Sequence, residues 1–584
     1  MLVFQVTLIL CMGVLFARML YLQWYQHEGL LLQANQNRIN VVPVLPTRGE
    51  IQDRFATGLA VNKVSYRLEV IPERVDDMPG TLNELQALMG WNEQQFNNIQ
   101  KRIKRARRDR PVLLADKLDW SHAAHLSVRL HHLPGVDVIA GTHRDYPFAA
   151  LTSHLIGYLS LARTEDLKQG YLHNESVGRS GLERVYEHAL HGKPGYQKEE
   201  VNAMGRRVAV LQQSPPVRGQ DLQLSLDLSL QQVASKALGE RTGAVVVMDV
   251  HSGEVRVLLS QPGYDTNHFI TGLEQEQWQA WLNDKRKPLL NRTTQAAYPP
   301  ASTMKVITSL AGLRQHVPLA TGHTQCPGYL ELADRKLRCW KRTGHGSVNL
   351  HDSLVHSCDV YFYSLGDQLG MKPLVEEARL WGMGERTGID LSPETRGNVP
   401  EVMQHLSNGR VRDWPRGVTM ITAIGQGEVT VSPLQMARFA AAVANGGDVL
   451  KPQLLAGQEP VIVRHVDIAP NYLHTVRQAM RDVVKDIRGT GHASLSRVPW
   501  AIAGKTGTAQ VVAMAQDDEE EDDSPVLNKH KDHAWFMGYA PYEDPRIAVA
   551  VLVEHGGHGG SDAGPVAGAI VRALAAREAE QMHE

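Results

Sequence analysis

Hydrophobic and polar positions follow three rhythms along this chain, and the first is apolar nearly throughout. Residues 1–17 carry no charge and are mostly Leu, Val, Ile, Phe and Met; Arg18 follows, and residues 19–24 are apolar again apart from Gln23. A stretch apolar on every side and about 20 residues long is what a bilayer-crossing helix requires. Tyr21, Trp24 and Tyr25 suit a membrane interface, and Arg18 can snorkel to it. No small-x-small cleavage site stands out, so residues 1–25 read as an uncleaved anchor, the alternative being a buried terminal core helix. No Lys or Arg precedes the run, so charge does not orient it, and a start further upstream stays open.

The second rhythm is irregular. Residues 41–45 are extended and apolar, residues 64–71 alternate like a strand, and residues 82–107 have helical spacing that ends in a basic run at 101–110. Residues 214–219, with Pro215, Pro216 and Gly219, read as a linker. Beyond it the pattern becomes regular. A strand is predicted at 221–226 and a helix at 229–238. Strands at 244–249 and 255–260 flank the hairpin signal His251-Ser252-Gly253-Glu254. Three more strands are predicted at 501–512, 534–540 and 546–554, then a helix opened by Pro565. Residues 290–490 between the two strand groups are largely helical in pattern. An antiparallel sheet drawn from both ends of a domain, with helices packed around it, is an α+β fold. The expected division is an anchor at 1–25, an irregular α+β pedestal at 26–215 and a second domain at 216–584.

Composition narrows this only a little. At 584 residues the chain has room for two or more cores. The 61 basic residues nearly balance 63 acidic ones, so global charge gives no reason to expect a nucleic-acid partner. Four cysteines (Cys11, Cys326, Cys339 and Cys358) are too few for a disulfide scaffold. The basic run at 101–110 reads as a solvated helix face and the acidic run at 517–523 as a solvated loop. His555-Gly556-Gly557-His558-Gly559-Gly560 reads as flexible, with surface histidines. Ser180 is no nucleophile elbow, because Leu182 stands where that turn needs glycine.

Three short segments carry the chemistry. In Tyr298-Pro299-Pro300-Ala301-Ser302, the prolines end what precedes them and a helix pattern follows, so Ser302 and Lys305 share a helix face. A lysine amine that can take its proton turns a serine hydroxyl into a nucleophile. Alone, Ser302-x-x-Lys305 is common by chance and reads first as a helix with an N-terminal serine cap and an exposed lysine. Ser357-Cys358-Asp359 and, on a predicted strand, Lys505-Thr506-Gly507-Thr508 complete the set known from penicillin-binding proteins and class A β-lactamases, in the same order.

With these, the chain resembles the class B penicillin-binding proteins, and among them the penicillin-binding protein 2 branch of the elongation machinery. The resemblance runs nearly end to end. It rests also on Arg48-Gly49-x-Ile51-x-Asp53-Arg54, Tyr146-Pro147, Gly157-Tyr158, Gly181-Leu182-Glu183, Gly425-Gln426-Gly427 and Ser432-Pro433-Leu434-Gln435. Ala301 departs from the family's usual glycine, and Asp359 stands where many relatives have asparagine. The resemblance implies a membrane-anchored D,D-transpeptidase of peptidoglycan synthesis, with its catalytic domain in the periplasm. Ser302 would attack the penultimate D-alanine carbonyl of a stem pentapeptide, and Lys305 would accept its proton. Ser357 and Asp359 would relay a proton to the leaving amine, and Lys505 would supply positive charge. Thr506 and Thr508 would bind the substrate carboxylate, with Gly507 letting the substrate backbone lie close. The Ser302 and Thr508 N–H groups would form the oxyanion hole. β-Lactams would stall the acyl-enzyme. A membrane glycan polymerase is the implied partner, and no organic cofactor is implied.

Cys326, Cys339, Cys358 and His345 form a second constellation. Three soluble cysteines cannot all pair with one another, whereas three thiolates and one imidazole close a tetrahedral zinc site. A disulfide with one free thiol, and three unlinked thiols, are the alternatives. Relatives of the penicillin-binding protein 2 branch are similar here, with a metal at matching positions. Rival activities on the same fold are a D,D-carboxypeptidase, a β-lactamase, or a non-catalytic β-lactam sensor or scaffold.

Overall fold

The computed structural model describes residues 2–28, 38–108, 111–172, 175–201, 207–333, 335–406, 409–510 and 531–583. The acidic run at 517–523 lies outside them, as do Val511 and Val512 of the predicted strand at 501–512. The chain forms two compact units. One comprises Met1–Glu50, Asn62–Arg144 and His188–Asp221; the other comprises Ile51–Val61, Asp145–Glu187 and Leu222–Glu584. Residues 51–61 and 145–187 therefore pack with the C-terminal half, although they precede the linker at 214–219.

In the first unit, Leu2–Tyr25 is one continuous helical stretch long and apolar enough to cross a membrane, with none of it buried. Its last five residues widen into a π-helix. The strands Ile39–Val44, Gly195–Val201 and Arg207–Ser214 form an antiparallel sheet. The helix Met78–Met89 starts at Asp77, whose carboxylate accepts from Gly80 N–H. The helix Glu93–Arg105 starts with a capping box between Asn92 and Gln95. Ile99 turns into a core with Leu82, Leu85 and Val112, while Lys101, Arg102, Lys104 and Arg105 face solvent.

The second unit is built on one five-stranded antiparallel sheet. Its elements, in chain order, are α1 (Leu228–Leu238), β1 (Gly243–Asp249), β2 (Val255–Gln261), α2 (Met304–Arg314), α3 (Asp359–Leu369), α4 (Pro433–Asn445), α5 (Pro470–Lys485), β3 (Ala503–Ala509), β4 (His533–Ala540), β5 (Ile547–Val553) and α6 (Gly564–His583). The strand order is β2-β1-β5-β4-β3, so the first two strands and the last three close one sheet across the helical block. Val245, Val247, Val257, Phe536, Val549 and Val551 put one face against α1 and α6 through Ala234, Leu238, Val566 and Ile570. The predicted strand at 221–226 shrinks to Leu222–Gln223. Leu224 N–H still bonds the Gln52 carbonyl of the parallel partner Ile51–Gln52, and from Ser225 the backbone turns away, its N–H going to the Leu454 carbonyl. Strand β3 is an edge, and this edge carries the Lys505 motif.

Candidate active site

Ser302 lies in a single 3-10 turn, Ala301–Thr303, at the head of α2. Ala301 holds a left-handed backbone, φ +52°, that side chains other than glycine rarely adopt. The surroundings fix it. Ala301 N–H donates to the Gly425 carbonyl at 2.8 Å. Gly425 must be glycine here: its φ is +75°, and a Cβ would sit 2.1 Å from the Ala301 carbonyl oxygen.

Helix α2 is buried along almost its whole length, and Lys305 with it. The Lys305 ammonium has three protons and spends them on the Ser357 carbonyl at 2.9 Å, Ser357 Oγ at 3.2 Å and Asp359 Oδ1 at 2.7 Å. None goes to Ser302, the partner that helix spacing suggests. Phe362 adds a cation–π face 5.6 Å from the amine. Ser357 is presented by its own strained backbone, φ +57°, in the break before α3. Asp359 opens α3, and its other oxygen accepts the Trp340 backbone N–H at 2.9 Å. Burial pushes the Asp359 carboxyl upward from its ordinary value, against the pull of the Lys305 charge.

Lys505, on β3, is fully buried, and its amine donates to the Thr506 carbonyl at 3.0 Å. Burial and then the Lys305 charge hold its pKa well below the usual lysine value. Thr506 hydrogen-bonds Thr490 hydroxyl to hydroxyl at 2.6 Å, and the Thr508 carbonyl accepts from the Gln426 side chain at 3.1 Å. Gly507 has a packing role in the fold. A Cβ on it would meet the Pro300 carbonyl at 3.2 Å and the Thr303 methyl at 3.3 Å, so it lets β3 press against the Ser302 turn. From the other direction Gly559 presses on Gly507, where a Cβ would come within 2.5 Å of the Gly507 carbonyl oxygen. The glycine-rich segment expected to be flexible is thus packed behind β3. His555 is tied in as well: its N–H donates to His533 Nδ1 at 3.1 Å, while His558 is exposed.

The thiols converge too. Cys326 ends the strand Thr324–Cys326, Cys339 follows Arg335–Arg338, His345 precedes Gly346–Val348, and Cys358 caps α3. One ligand atom from each lies within 4.8 Å of all the others. The three thiols are buried and none is in a disulfide. His345 Nδ1 stands 3.5 Å from the Cys339 sulfur and 3.6 Å from that of Cys326. The Cys339–Cys358 hydrogen bond lowers the Cys339 thiol and raises that of Cys358. Three buried thiols and a half-buried imidazole, with ligand atoms within 4.8 Å of one another, fit a metal ion. Cys358 lies between Ser357 and Asp359, and Cys339 precedes the residue whose N–H holds Asp359, so this cluster backs the Ser357 and Asp359 segment.

Sequence reasoning missed Trp340, Thr490 and the support given by Gly425. Trp340 shows no motif, and its indole N–H is committed to the His356 carbonyl at 3.0 Å. Gly425-Gln426-Gly427 was the available signal for a strained support.

The family model described as the penicillin binding protein transpeptidase domain matches residues 243–575. The penicillin-binding protein dimerisation domain matches residues 43–224. The chain is 34% identical to the peptidoglycan D,D-transpeptidase MrdA of Escherichia coli (strain K12), over 97% of this chain and 92% of that one. Penicillin-binding protein 2 of Helicobacter pylori, solved in complex with MreC, is similar at TM-score 0.80 and 31% identity, covering 92% of this chain and 98% of that one. A chain from a peptidoglycan synthase complex, in a structure on the coordination of polymerization and crosslinking, is similar at TM-score 0.71 and 28% identity, covering 98% and 97%.

Proposed function

Since the chain belongs to the class B penicillin-binding proteins, in the penicillin-binding protein 2 branch, and is a serine-type peptidoglycan D,D-transpeptidase of cell elongation, we propose that Ser302 is its nucleophile and Lys305, Ser357, Asp359 and Lys505 its catalytic partners. The observation that carries this is the Lys305 ammonium, buried one helical turn from Ser302 with all three protons directed at Ser357 and Asp359. A charged amine cannot accept a proton. Lys305 must first yield one, and Asp359 at 2.7 Å, with its carboxyl pushed upward by burial, is placed to hold it. The free amine then takes the Ser302 proton as Oγ bonds to the penultimate D-alanine carbonyl. Collapse breaks the peptide bond, and the terminal D-alanine leaves as an amine carrying the proton returned through Ser357. An amine of a neighbouring stem peptide attacks the ester, forms the crosslink and restores the Ser302 hydroxyl. Lys505 draws in the substrate carboxylate, and Thr506, Gly507 and Thr508 line its place. The Ser302 and Thr508 N–H groups face the developing oxyanion.

Zinc is the ion that the three thiols and His345 suit best. It would lock the Cys339 and Cys358 segments and so hold Asp359 in place. The domain division that goes with this reading is an anchor at 1–25, a pedestal at 26–215 that docks partners, and a transpeptidase domain at 216–584. On this reading the transpeptidase domain lies in the periplasm, where its peptidoglycan substrate is, beside a membrane glycan polymerase.

Mass spectrometry of the full chain after reaction with a fluorescent penicillin tests the assignment. One adduct on the peptide containing Ser302, lost in Ser302→Ala, is the expected result. An adduct on another residue, or an unchanged adduct in Ser302→Ala, overturns it.

A further inference from the structure

The segment that leads into Ser302 is held by a buried ionic device to which the chemistry above assigns no role. Glu554 follows directly on β5. Its Oε1 accepts the Tyr298 hydroxyl at 2.5 Å and Arg292 Nε at 3.0 Å, and its Oε2 accepts Arg292 Nη2 at 3.2 Å. The Arg292 side chain is 1% exposed. Its remaining donors go to the carbonyls of Arg286, Lys287 and Leu290, and its N–H goes to Ser260 Oγ on β2. One carboxylate therefore fastens both ends of residues 292–298 to the central sheet.

Past Tyr298 the fastening continues into the nucleophile turn. Tyr298 exchanges backbone hydrogen bonds with Val431 at 2.9 and 2.8 Å, and the Pro299 carbonyl accepts the Trp535 indole N–H at 3.0 Å. The Tyr298 ring stands edge-on to His533, with centroids 5.5 Å apart. The phenol keeps its proton, because burial and the Glu554 charge both push its pKa up. It is thus a fixed donor to Glu554.

Two further facts make this device matter. A cavity of about 260 Å³ borders Asn291, Thr294 and Gln295, so this segment has open space on one flank although Asn291 and Thr294 are themselves buried. The turn it leads to carries the strained Ala301 backbone, which persists only while its surroundings over-determine it. Along 291–295, burial and the Thr293 and Thr294 carbonyls, which accept from the Leu434 and Thr395 N–H groups, share that constraint with the Glu554 carboxylate.

We propose that Arg292, Glu554 and Tyr298 are positioning residues that set where the Ser302 hydroxyl stands relative to β3. The proposal rests on the reading of Ser302 as nucleophile. A misplacement of about 1 Å at a reacting atom can cost about a hundredfold in rate. A clamp of this kind changes the rate of the covalent step and leaves recognition of the ligand alone.

The test is stopped-flow acylation of the full-length protein in detergent by a fluorescent penicillin, resolving non-covalent affinity from the acylation rate constant. Tyr298→Phe keeps the ring and removes one hydrogen bond. It is expected to lower the acylation rate constant by about tenfold, with affinity within about twofold and thermal stability nearly unchanged. Glu554→Gln is expected to lose more. The double variant should be no slower than Glu554→Gln alone, since both act through one clamp. If Glu554→Gln does not fold, Tyr298→Phe decides. A Tyr298→Phe acylation rate constant within about twofold of the parent overturns the proposal, as does a loss confined to affinity or to melting temperature. An adduct that does not map to Ser302 would instead sink the functional reading, so the two failures are told apart.

Discussion

Two buried polar clusters meet at Cys358, and they solve the problem of burial in opposite ways. On one side, Lys305 and Asp359 offset each other within the protein, with every ammonium proton matched to an acceptor. On the other, Cys326, Cys339, Cys358 and His345 gather soft donors with no positive side chain among them. The first cluster is complete as a set of side chains, whereas the second has the donor set that a cation would complete. Burying a charge is tolerable only when it is paired or ligated. The comparison teaches that Ser357 and Asp359 are held twice: directly by Lys305, and from behind by the segments that carry the thiols.

The largest effect should come from breaking the self-contained side. Lys305→Met leaves Asp359 as an uncompensated buried carboxylate, which costs about 3–5 kcal/mol when a buried pair loses one member. It also removes the proposed general base, which is worth about a hundredfold to ten-thousandfold in rate. Penicillin acylation and thermal unfolding should both fall steeply. Adding Asp359→Asn should restore much of the stability and none of the acylation. Should the double variant remain as unstable as the single one, the two groups are not each other's main support.

The other side should break more gently. Removing metal with a strong chelator, with a reductant present to keep the thiols free, should lower the melting temperature. Acylation should slow by about tenfold to a hundredfold, the range typical when metal-site support is lost. Zinc should restore both, and magnesium should restore neither, because thiolates favour soft ions. Metal analysis that finds no zinc in protein purified without chelator would leave the thiol cluster as packing alone.

Much of this comparison could be read along the chain. Lys505 on a strand, Lys305 one turn from Ser302, and the four thiol-cluster residues all follow from local pattern and residue type. The direction in which Lys305 points did not. Helix spacing puts it near Ser302, but Asp359, 54 positions away, draws the ammonium toward itself. Glu554 and Arg292 were equally hidden, since an ion pair across 262 positions leaves no trace in periodicity. The glycine-rich 555–560 segment misled for a related reason. Glycine marks flexibility where space is open and close approach where backbones meet, and Gly559 against Gly507 is the second case.

pH offers a sharper probe of the charged side. Lys505 loses its proton more easily folded than unfolded, because burial and the Lys305 charge lower its pKa. Between that lowered value and the ordinary 10.5, the unfolded chain holds more protons, so this group makes stability rise with pH. Substrate attraction runs the other way, since the charge on Lys505 disappears as pH climbs through its folded pKa. The basic limb of acylation should therefore lie well below 10.5. Lys505→Arg, which keeps its charge, should move that limb upward even if the peak rate drops. A basic limb that stays put in Lys505→Arg assigns it to another group.

The smallest effect expected is at Ala301. Its left-handed backbone costs a non-glycine residue about 1 kcal/mol, which Ala301→Gly would relieve. Glycine adds unfolded-state entropy worth about 0.5–1 kcal/mol, and the buried methyl is lost. These terms nearly cancel, so the melting temperature should move by only about two degrees. Acylation should change by less than about threefold, because Gly425 and the Glu554 clamp fix the turn from outside whichever residue occupies it. A tenfold slower Ala301→Gly enzyme would mean that the alanine side chain itself stiffens the turn. The constraint would then lie in the nucleophile's own backbone rather than in the groups around it.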